Sequence, residues 1–436
     1  MQAVTRLVGT IQGSLPAGRG LGLTLRLQSF WAIADQGIVS LGNFLTTIIL
    51  ARALTPSAYG LWSVIFGLIL FLNVLPATLV NYPLSVRVAA RDDDASGELV
   101  KAALTLTALL AVPQMLLLFT VSILVAHSAL GMCAGVCLLL WQLQETTRRA
   151  LMARFAFGKT LGTDAISYLG QAAMVWMFAH EYQSSPEVAF AIMGLTCGVA
   201  AIVQLWFLGP RWRGRLNLRR HAWDFWATGR WVLGTNLLAN FSIQAGPWAL
   251  FLLRGPADAA GFQAVSNLLG VSHPIMLSLG NFLVPAVARA RAKLGLLQAR
   301  RVALGQSAQA AWLLLPLILA LLIIPRFLLG LVYGSASTYV ALDWPLRLLA
   351  LTYVFTYWAM AIKFFLIAVE SRNRTQFLFD LSWTALFIGL LIPLSLRWGV
   401  VGLILATGLS QAAKLTSNLI LMRRVELFGS NQRVTE

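Results

Sequence analysis

The sequence predicts an all-α polytopic membrane protein with about twelve transmembrane helices in two like-oriented six-helix lobes. Composition is the first observation: 58% of the 436 residues are hydrophobic and only 11% are charged, whereas a soluble domain carries about 25% charged residues. The second is that apolar runs of about 20 residues recur along the whole chain, each long enough to cross about 30 Å of hydrocarbon as a helix. These runs are continuous in Leu, Ala and Val, which favours helices over the alternating strands of a membrane barrel.

Twelve spans follow from these runs, and the connections between them define the domains. The spans occupy about 31–51, 61–86, 102–126, 129–147, 161–181, 188–209, 230–253, 262–288, 302–324, 346–369, 377–396 and 399–422. The chain then comprises a cytosolic lead-in (1–28), an N-terminal six-helix lobe (29–209), a basic interfacial linker (210–229), a C-terminal six-helix lobe (230–422) and a cytosolic tail (423–436). Because the linker mixes Arg with Trp and Phe, we expect it to lie in the headgroup layer.

The basic residues predict the orientation of the spans. Of the 33 Lys and Arg residues, 26 fall in the lead-in, the tail and the even-numbered loops, and five fall in the remaining loops. Since membrane proteins keep Lys and Arg on the cytoplasmic side, we expect the N- and C-termini to be cytoplasmic. The net charge of +17 would favour a nucleic-acid partner in a soluble protein, but its placement on alternate loops predicts no nucleic-acid binding.

A helical hairpin of the same design opens each half of the chain. In the first half, residues 36–70 form an apolar span, a short hinge from Arg52 to Gly60, and a second apolar span. A weaker echo of this hinge runs from Arg254 to Gly261. The repeat predicts two parallel six-helix halves, related by an axis along the membrane normal, with a transport path between them.

Polar residues recur within several spans at helical spacing. In the first span they lie four, three and four residues apart, so they share one helix face. The first and seventh spans contribute Gln36, Ser40, Asn43, Thr47, Asn236, Asn240 and Gln244; the fifth contributes Asp164, Ser167 and Gln171; and the eighth contributes Gln263 and Asn267. Such residues either hydrogen-bond helices together or line a watery cavity. Because the first and seventh spans are equivalent under the repeat, we favour a shared cavity, with Asn43, Asn240 and Gln244 as candidate substrate-binding residues.

Two lysines, Lys363 and Lys414, lie well inside predicted spans. A lysine at the centre of a bilayer costs several kcal/mol unless it is paired or hydrated. Either these lysines are structural, for example through an ion pair of Lys363 with Glu370 on the same helix face, or they form a cationic cavity for an anionic substrate. Under the second interpretation Arg52 and Arg254 are candidates for the outer rim of the cavity, although for these two residues we favour the alternative that they are interfacial anchors.

No cofactor or catalytic group is predicted. Cys133, Cys137 and Cys197 lie in apolar spans without further metal ligands and are interpreted as small core residues. The sequence has no Walker loop, no His-Glu-x-x-His motif and no nucleophile elbow. Enzymatic activity, and ATP hydrolysis in particular, is therefore not expected of this chain.

The first hairpin resembles a known family of membrane transporters. An apolar helix ends in Ala51-Arg52 and is followed by Leu54, Pro56 and Tyr59-Gly60. This segment is similar to the start of the polysaccharide transporter, or O-antigen flippase-like, branch of the multidrug/oligosaccharidyl-lipid/polysaccharide (MOP) flippase superfamily. The segments 333–335 (Tyr-Gly-Ser) and 398–402 (Trp-Gly-Val-Val-Gly) look similar as well, so the resemblance extends over nearly the whole chain.

The resemblance implies a V-shaped bundle of two six-helix lobes in the bacterial cytoplasmic (inner) membrane. Proteins of this branch move an undecaprenyl-diphosphate-linked glycan from the inner to the outer leaflet. The implied partners are the lipid-linked glycan, membrane lipids, and proteins of polysaccharide polymerisation or export. The branch has no short catalytic signature, so the assignment of Lys363 and Lys414 to substrate binding depends on their charge alone.

Three other functions remain open at this point. A multidrug/cation antiporter of the same superfamily would need acidic residues within the N-terminal lobe, where Asp35 and Asp164 lie near the predicted cytoplasmic ends of their spans. A membrane glycosyl polymerase or ligase would need catalytic groups in a sizeable outer loop, and the longest one, about residues 325–345, offers few, among them Arg326 and Asp343. The third alternative is a scaffold subunit of an export complex. Peptidoglycan-precursor flippases usually have fourteen spans, which argues against that branch.

Overall fold

The computed structural model describes residues 20–88, 93–124, 127–181, 185–209, 216–369 and 373–431, and the regular structure in these parts is helical. The first half of the chain begins with a long helix, α1 (Gly20–Ala53), and a tight turn to α2 (Pro56–Leu72). The second span then continues through one helical turn (Val74–Pro76), a π-helical turn (Ala77–Asn81) and α3 (Tyr82–Val88). The remaining helices of this half are α4 (Asp93–Leu124), α5 (Ser128–Ala153), α6 (Phe157–Asp164), a π-helical turn (Ala165–Leu169), α7 (Gly170–Glu181) and α8 (Pro186–Leu208).

The second half repeats the opening hairpin. Its helices are α9 (Leu218–Arg254), α10 (Pro256–Gly270), α11 (His273–Leu294), α12 (Leu296–Ile323), α13 (Pro325–Tyr333), a 3-10 turn (Thr338–Leu342), α14 (Asp343–Val369) and α15 (Asn373–Asn431). The helix α15 contains the eleventh and twelfth spans, which meet at a bend at Gly399 (φ 55°). A side chain is disfavoured there because φ is positive and because a Cβ would lie only 2.5 Å from a carboxylate oxygen of Asp258.

Each of the twelve predicted spans coincides with a helix, with consecutive helices that join end to end, or with one arm of α15. Seven helical stretches of the described chain are long and apolar enough to cross a bilayer; one of them, Leu378–Arg423, contains both spans of α15. The prediction of an all-α polytopic membrane protein is therefore confirmed.

The described part of the predicted linker is mostly helical. Residues 210–215 lie outside the described parts, but from Leu218 the predicted linker is helical and continuous with the seventh span. The Asn217 side chain accepts a hydrogen bond from the backbone N–H of Arg220 and caps this helix, which is a favoured role for Asn. The segment also docks on the first half, because Arg87 and Asp224 form a bidentate ion pair and Phe225 is buried there. The helices of the lead-in and the tail likewise extend to Gly20 and Asn431.

The buried core shows how the two halves are arranged. We call the end of the bundle with the turns at 54–55 and 255 the hairpin end, and the opposite end, with residues 20 and 431, the termini end. One large core at the hairpin end combines residues of both halves, such as Tyr59 and Val265. Towards the termini end there are two separate cores, one around Leu283 in the second half and one around Leu84 in the first. The halves therefore share one core at the hairpin end and have separate cores towards the termini end, where α9 remains in contact with the first half through Arg87 and Asp224.

Candidate substrate-binding cavity

A cavity of about 510 Å³ lies between the two halves. Its walls come from α1 in the first half and from α10, α11 and α14 in the second. Its polar lining residues are Gln36, Ser40, Asn43, Thr47, Gln263, Ser266, Asn267, His273 and Tyr353. Among the described residues that line it, none is Asp, Glu, Lys or Arg. The cavity therefore offers amide, hydroxyl and imidazole groups, without a fixed charge.

The polar stripe of the first span explains one wall. Gln36, Ser40, Asn43 and Thr47 all line the cavity, as expected for residues that share one face of a helix. The Thr47 hydroxyl is partly satisfied within the helix, since it donates to the carbonyl oxygen of Phe44 over 2.9 Å. Of the candidate substrate-binding residues from the sequence, Asn43 is the one that the structure places in this wall.

The hairpin end of the cavity is closed by a network of hydrogen bonds. The Asn267 side-chain amide donates to the Tyr59 hydroxyl in the first half (2.9 Å) and lies 3.4 Å from the Tyr333 hydroxyl in the second. The Tyr333 hydroxyl in turn donates to the carbonyl oxygen of Ala264 over 2.8 Å. Tyr59 is fully buried and stacks on Trp62. Polar and aromatic contacts together seal this end.

The two hinge arginines do not line the cavity. Arg52 donates from Nε to the carbonyl oxygen of Val332 (2.6 Å) and from Nη2 to that of Leu331 (2.7 Å). These carbonyls belong to the last turn of α13, where a cation is favourable because carbonyl groups there lack helical partners. Arg254 instead pairs with Asp258, with Nε 3.2 Å from Oδ2. Arg52 therefore connects the two halves, whereas Arg254 makes a contact within the second half.

Lys363 and Lys414 share one carboxylate, that of Asp380. Lys363 Nζ lies 2.7 Å from Oδ2 and Lys414 Nζ lies 3.1 Å from Oδ1. The three side chains come from α14 and from the two arms of α15, and they are 30%, 21% and 18% exposed for Lys363, Lys414 and Asp380 respectively. The suggested partner of Lys363, Glu370, lies outside the described residues.

Neither lysine lines the cavity. Lys363 follows the lining residue Tyr353 by ten positions on the same helix, which places it about 15 Å further towards the termini end. Asp380 was missed by sequence reasoning. A lone acidic residue inside a span, in the same half as two lone lysines, is the signal that could have identified it, because an intramembrane charge usually has a partner.

The candidates from the seventh span make helix contacts. The Asn240 amide donates to the carbonyl oxygen of Asn236 in its own helix over 3.0 Å, and the Asn236 amide donates to the Thr78 hydroxyl in the first half over 3.0 Å. Gln244 is buried against Gly67, where a Cβ would lie 2.8 Å from its Oε1. Gln244 therefore lies at the contact between α9 and the first half, Asn240 bonds within its own helix, and neither residue is among those that line the cavity.

A second charged cluster is buried in the first half. Arg148 Nη2 lies 2.7 Å from Asp35 Oδ2, and its Nε donates to Asp164. Glu145 lies 3.3 Å from Arg148 and 2.6 Å from Arg149. In the sequence Arg148 was assigned to a cytoplasmic loop, but it belongs to α5 and its side chain is only 7% exposed. The acidic residues Asp35 and Asp164 are thus paired with a cation of the chain itself.

No family model and no curated protein matches the chain. Its fold is similar to an inward-facing conformation of a multidrug resistance MATE family transporter of the MOP superfamily, with a TM-score of 0.74 and 13% identity over 91% of this chain and 98% of that one. For an outward-facing conformation the TM-score is 0.63, with 13% identity over 92% of this chain and 96% of that one. For the lipid II flippase MurJ in an inward closed conformation the TM-score is 0.70, with 12% identity over 90% of this chain and 87% of that one. At these identities the likeness establishes the fold: this is a multi-pass all-α membrane protein built like transporters of the MOP superfamily.

Proposed function

We propose that this protein is a flippase that moves a polyprenyl-diphosphate-linked oligosaccharide across the bacterial cytoplasmic membrane by alternating access, for surface or exopolysaccharide biosynthesis. The observation that carries the proposal is the lining of the cavity between the halves. Amide and hydroxyl side chains such as Asn43, Gln263 and Asn267 line it, and these groups donate and accept hydrogen bonds as sugar hydroxyls require. An uncharged polar wall suits a glycan better than a cationic drug, which would favour a carboxylate.

The cluster of Lys363, Asp380 and Lys414 supports an anionic headgroup. Two ammonium groups and one carboxylate leave a formal charge of +1, and an ammonium group is a common phosphate-binding group in proteins. We assign contact with the diphosphate to the two lysines. Arg52 and Arg254, the other basic candidates, already bond to backbone carbonyls and to Asp258 respectively, so we assign them no headgroup contact.

The orientation of the chain fits loading from the cytoplasm. If the termini are cytoplasmic, as the placement of Lys and Arg predicts, the closed hairpin end faces outward and the separate cores of the two halves lie towards the cytoplasm. The higher TM-score for the inward-facing than for the outward-facing MATE structure, 0.74 against 0.63, supports the same state. The polyprenyl tail would remain in lipid beside the bundle while the sugars enter the cavity. Proteins of polysaccharide polymerisation or export are the partners that this role implies.

The proposal is tested with a Lys363→Ala/Lys414→Ala double variant in proteoliposomes that contain a fluorescent lipid-linked oligosaccharide. We expect transfer between leaflets to fall strongly, because the diphosphate loses both of its cationic contacts. Lys293→Ala is the matched control, since Lys293 is exposed at the end of α11. Unchanged transfer by the double variant would show that neither lysine is needed for transport of the substrate. Absence of transfer by the unmodified protein would overturn the proposed function.

One observation favours a second candidate, a multidrug/cation antiporter. Asp35 and Asp164 are buried within the first half, although they lie near the predicted ends of their spans. Their position in a buried cluster suits ion coupling, but Arg148 already supplies a cation to both carboxylates. Dye export driven by a proton or sodium gradient, without any transfer of lipid-linked oligosaccharide, would select this candidate over the flippase.

A further inference from the structure

We propose that Asp380 is an internal counter-anion that occupies the lysine pair in the empty carrier and is displaced by the diphosphate of the substrate. This inference rests on the proposed flippase function and assigns Asp380 a role in setting substrate affinity. It identifies one carboxylate as the group that the substrate must replace.

Each carboxylate oxygen of Asp380 pairs with one lysine, Oδ2 with Lys363 and Oδ1 with Lys414, so that a single anionic group bridges two cations on different helical segments. A diphosphate can make the same bridge, because it presents several anionic oxygens on two linked phosphorus centres. It also carries more negative charge than one carboxylate, so two ammonium groups favour it over Asp380 at equal distance.

The three side chains are between 18% and 30% exposed, in contrast to Arg148 in the other charged cluster, which is 7% exposed. A buried ion pair is costly to open, since each partner is left uncompensated in a medium of low dielectric constant. The partly exposed cluster at Asp380 can exchange one anion for another at lower cost.

Without Asp380 the empty carrier would present two uncompensated lysines within membrane spans, which is unfavourable in a membrane. With Asp380 in place, the substrate must first displace the Asp380 carboxylate from the lysines. The free energy of this displacement lowers the observed affinity for substrate, as for any site whose binding-competent state is only partly populated. Asp380 therefore stabilises the empty state and promotes release of the product.

The test is binding of radiolabelled inorganic pyrophosphate to the full chain in nanodiscs. We expect Asp380→Asn to bind pyrophosphate about tenfold more tightly than the unmodified protein, because the competing carboxylate is gone. The combination Asp380→Asn/Lys363→Ala should lose that gain. Asp258→Asn is the matched control, because it removes the carboxylate from another ion pair, the one with Arg254, which lies far from the two lysines in the sequence. The affinity of this control variant for pyrophosphate should equal that of the unmodified protein.

A measurement on the unmodified protein keeps the inference testable if Asp380→Asn does not fold. Pyrophosphate should protect Lys363 and Lys414, but not Lys293, from an amine-acylating reagent, as measured by mass spectrometry of the modified peptides. A polyprenyl diphosphate in the nanodisc should protect the same lysines at lower concentration, and the corresponding polyprenol should not, which separates a lipid headgroup from a free phosphate. Equal protection by pyrophosphate and by the polyprenyl diphosphate would overturn the assignment of this site to a lipid-linked diphosphate.

The inference and the proposed function fail in different ways. Unchanged or weaker pyrophosphate binding by folded Asp380→Asn, or no protection of the lysines, would overturn the role of Asp380 even where lipid-linked oligosaccharide is transferred. Tighter binding by Asp380→Asn together with no transfer of lipid-linked oligosaccharide would support the anion site and reject the flippase.

Discussion

The side-chain amide of Asn267 donates a hydrogen bond of 2.9 Å to the Tyr59 hydroxyl, across the contact between the two halves of the protein. Asn267 also lines the cavity. One residue therefore belongs both to the wall that would contact substrate and to the seal at the hairpin end. A substrate hydroxyl that bonds to Asn267 would compete with Tyr59, which links occupancy of the cavity to the strength of the seal.

The first prediction concerns this bond. Tyr59→Phe keeps the buried ring but removes the hydroxyl, and a hydrogen bond of this kind contributes about 1 kcal/mol, or about a fivefold change in an equilibrium. The reporter is a cysteine placed in the cavity wall by Ser40→Cys. We expect this cysteine to react about fivefold faster with a membrane-impermeant maleimide added from the hairpin side when Tyr59→Phe is also present than when Tyr59 is retained. The measurement uses a background in which the three native cysteines are replaced by alanine. Tyr82→Phe, whose ring is exposed, is the control, and equal rates in both variants would contradict the seal.

The second prediction separates the two hinge arginines. Arg52 bonds to the carbonyls of Leu331 and Val332 across the halves, whereas Arg254 pairs with Asp258 nearby in the chain. We therefore expect Arg52→Ala to widen the distance distribution between the halves at the hairpin end, and Arg254→Ala to leave it unchanged.

The measurement for the arginines is pulsed electron spin resonance between labels at two exposed positions. Ser57 in the first half and Ala341 in the second half are suitable. Arg52→Lys should give an intermediate distribution, because an ammonium group keeps the charge but does not reproduce the two fixed bonds of the guanidinium group. Identical distributions for Arg52→Ala and Arg254→Ala would show that the cross-half bonds do not hold this end together.

The sequence was sufficient for the fold because its evidence is local. Helical periodicity places Gln36 and Asn43 on one face without knowledge of any neighbour, and the structure puts that face in the cavity wall. Span length and the alternation of basic loops are likewise properties of consecutive residues. The helical architecture and the polar wall of α1 could therefore be predicted.

Pairings between distant residues were not accessible in the same way. Asp380 meets Lys363 and Lys414 across separations of 17 and 34 residues, and no periodicity signals such a contact. The partners of Arg52 are backbone carbonyls some 280 residues away, and a carbonyl group has no sequence signature. The same limit explains the seventh span, where Asn240 and Gln244 have cavity-like spacing but Asn240 bonds within its own helix and Gln244 packs against Gly67 of the first half.

The third prediction concerns Arg148. Arg148→Ala would leave Asp35 and Asp164 buried without their cation, which costs about 3–5 kcal/mol in comparable buried pairs. We expect a clear fall in the midpoint of thermal unfolding of the detergent-solubilised protein. Arg149→Ala is the matched control, because Arg149 is the next residue, pairs with Glu145 and is 46% exposed, and an exposed pair contributes only about 0–1 kcal/mol. Equal midpoints for the two variants would show that the buried cluster is not an important source of stability.

The last prediction uses a close approach between the halves, at Gly60 and Pro256. A Cβ on Gly60 would overlap the backbone carbonyl of Pro256, and a backbone group cannot move aside as the end of a flexible side chain can. We expect Gly60→Ala to separate α2 from α10 and to increase maleimide labelling of the cavity from the hairpin side. Gly37→Ala is the control, because no atom lies within 4 Å of a Cβ built there and alanine favours a helix over glycine by about 0.5–1 kcal/mol. If Gly60→Ala labels like Gly37→Ala, the two hairpins do not meet at these residues, and the seal at this end must depend on other contacts.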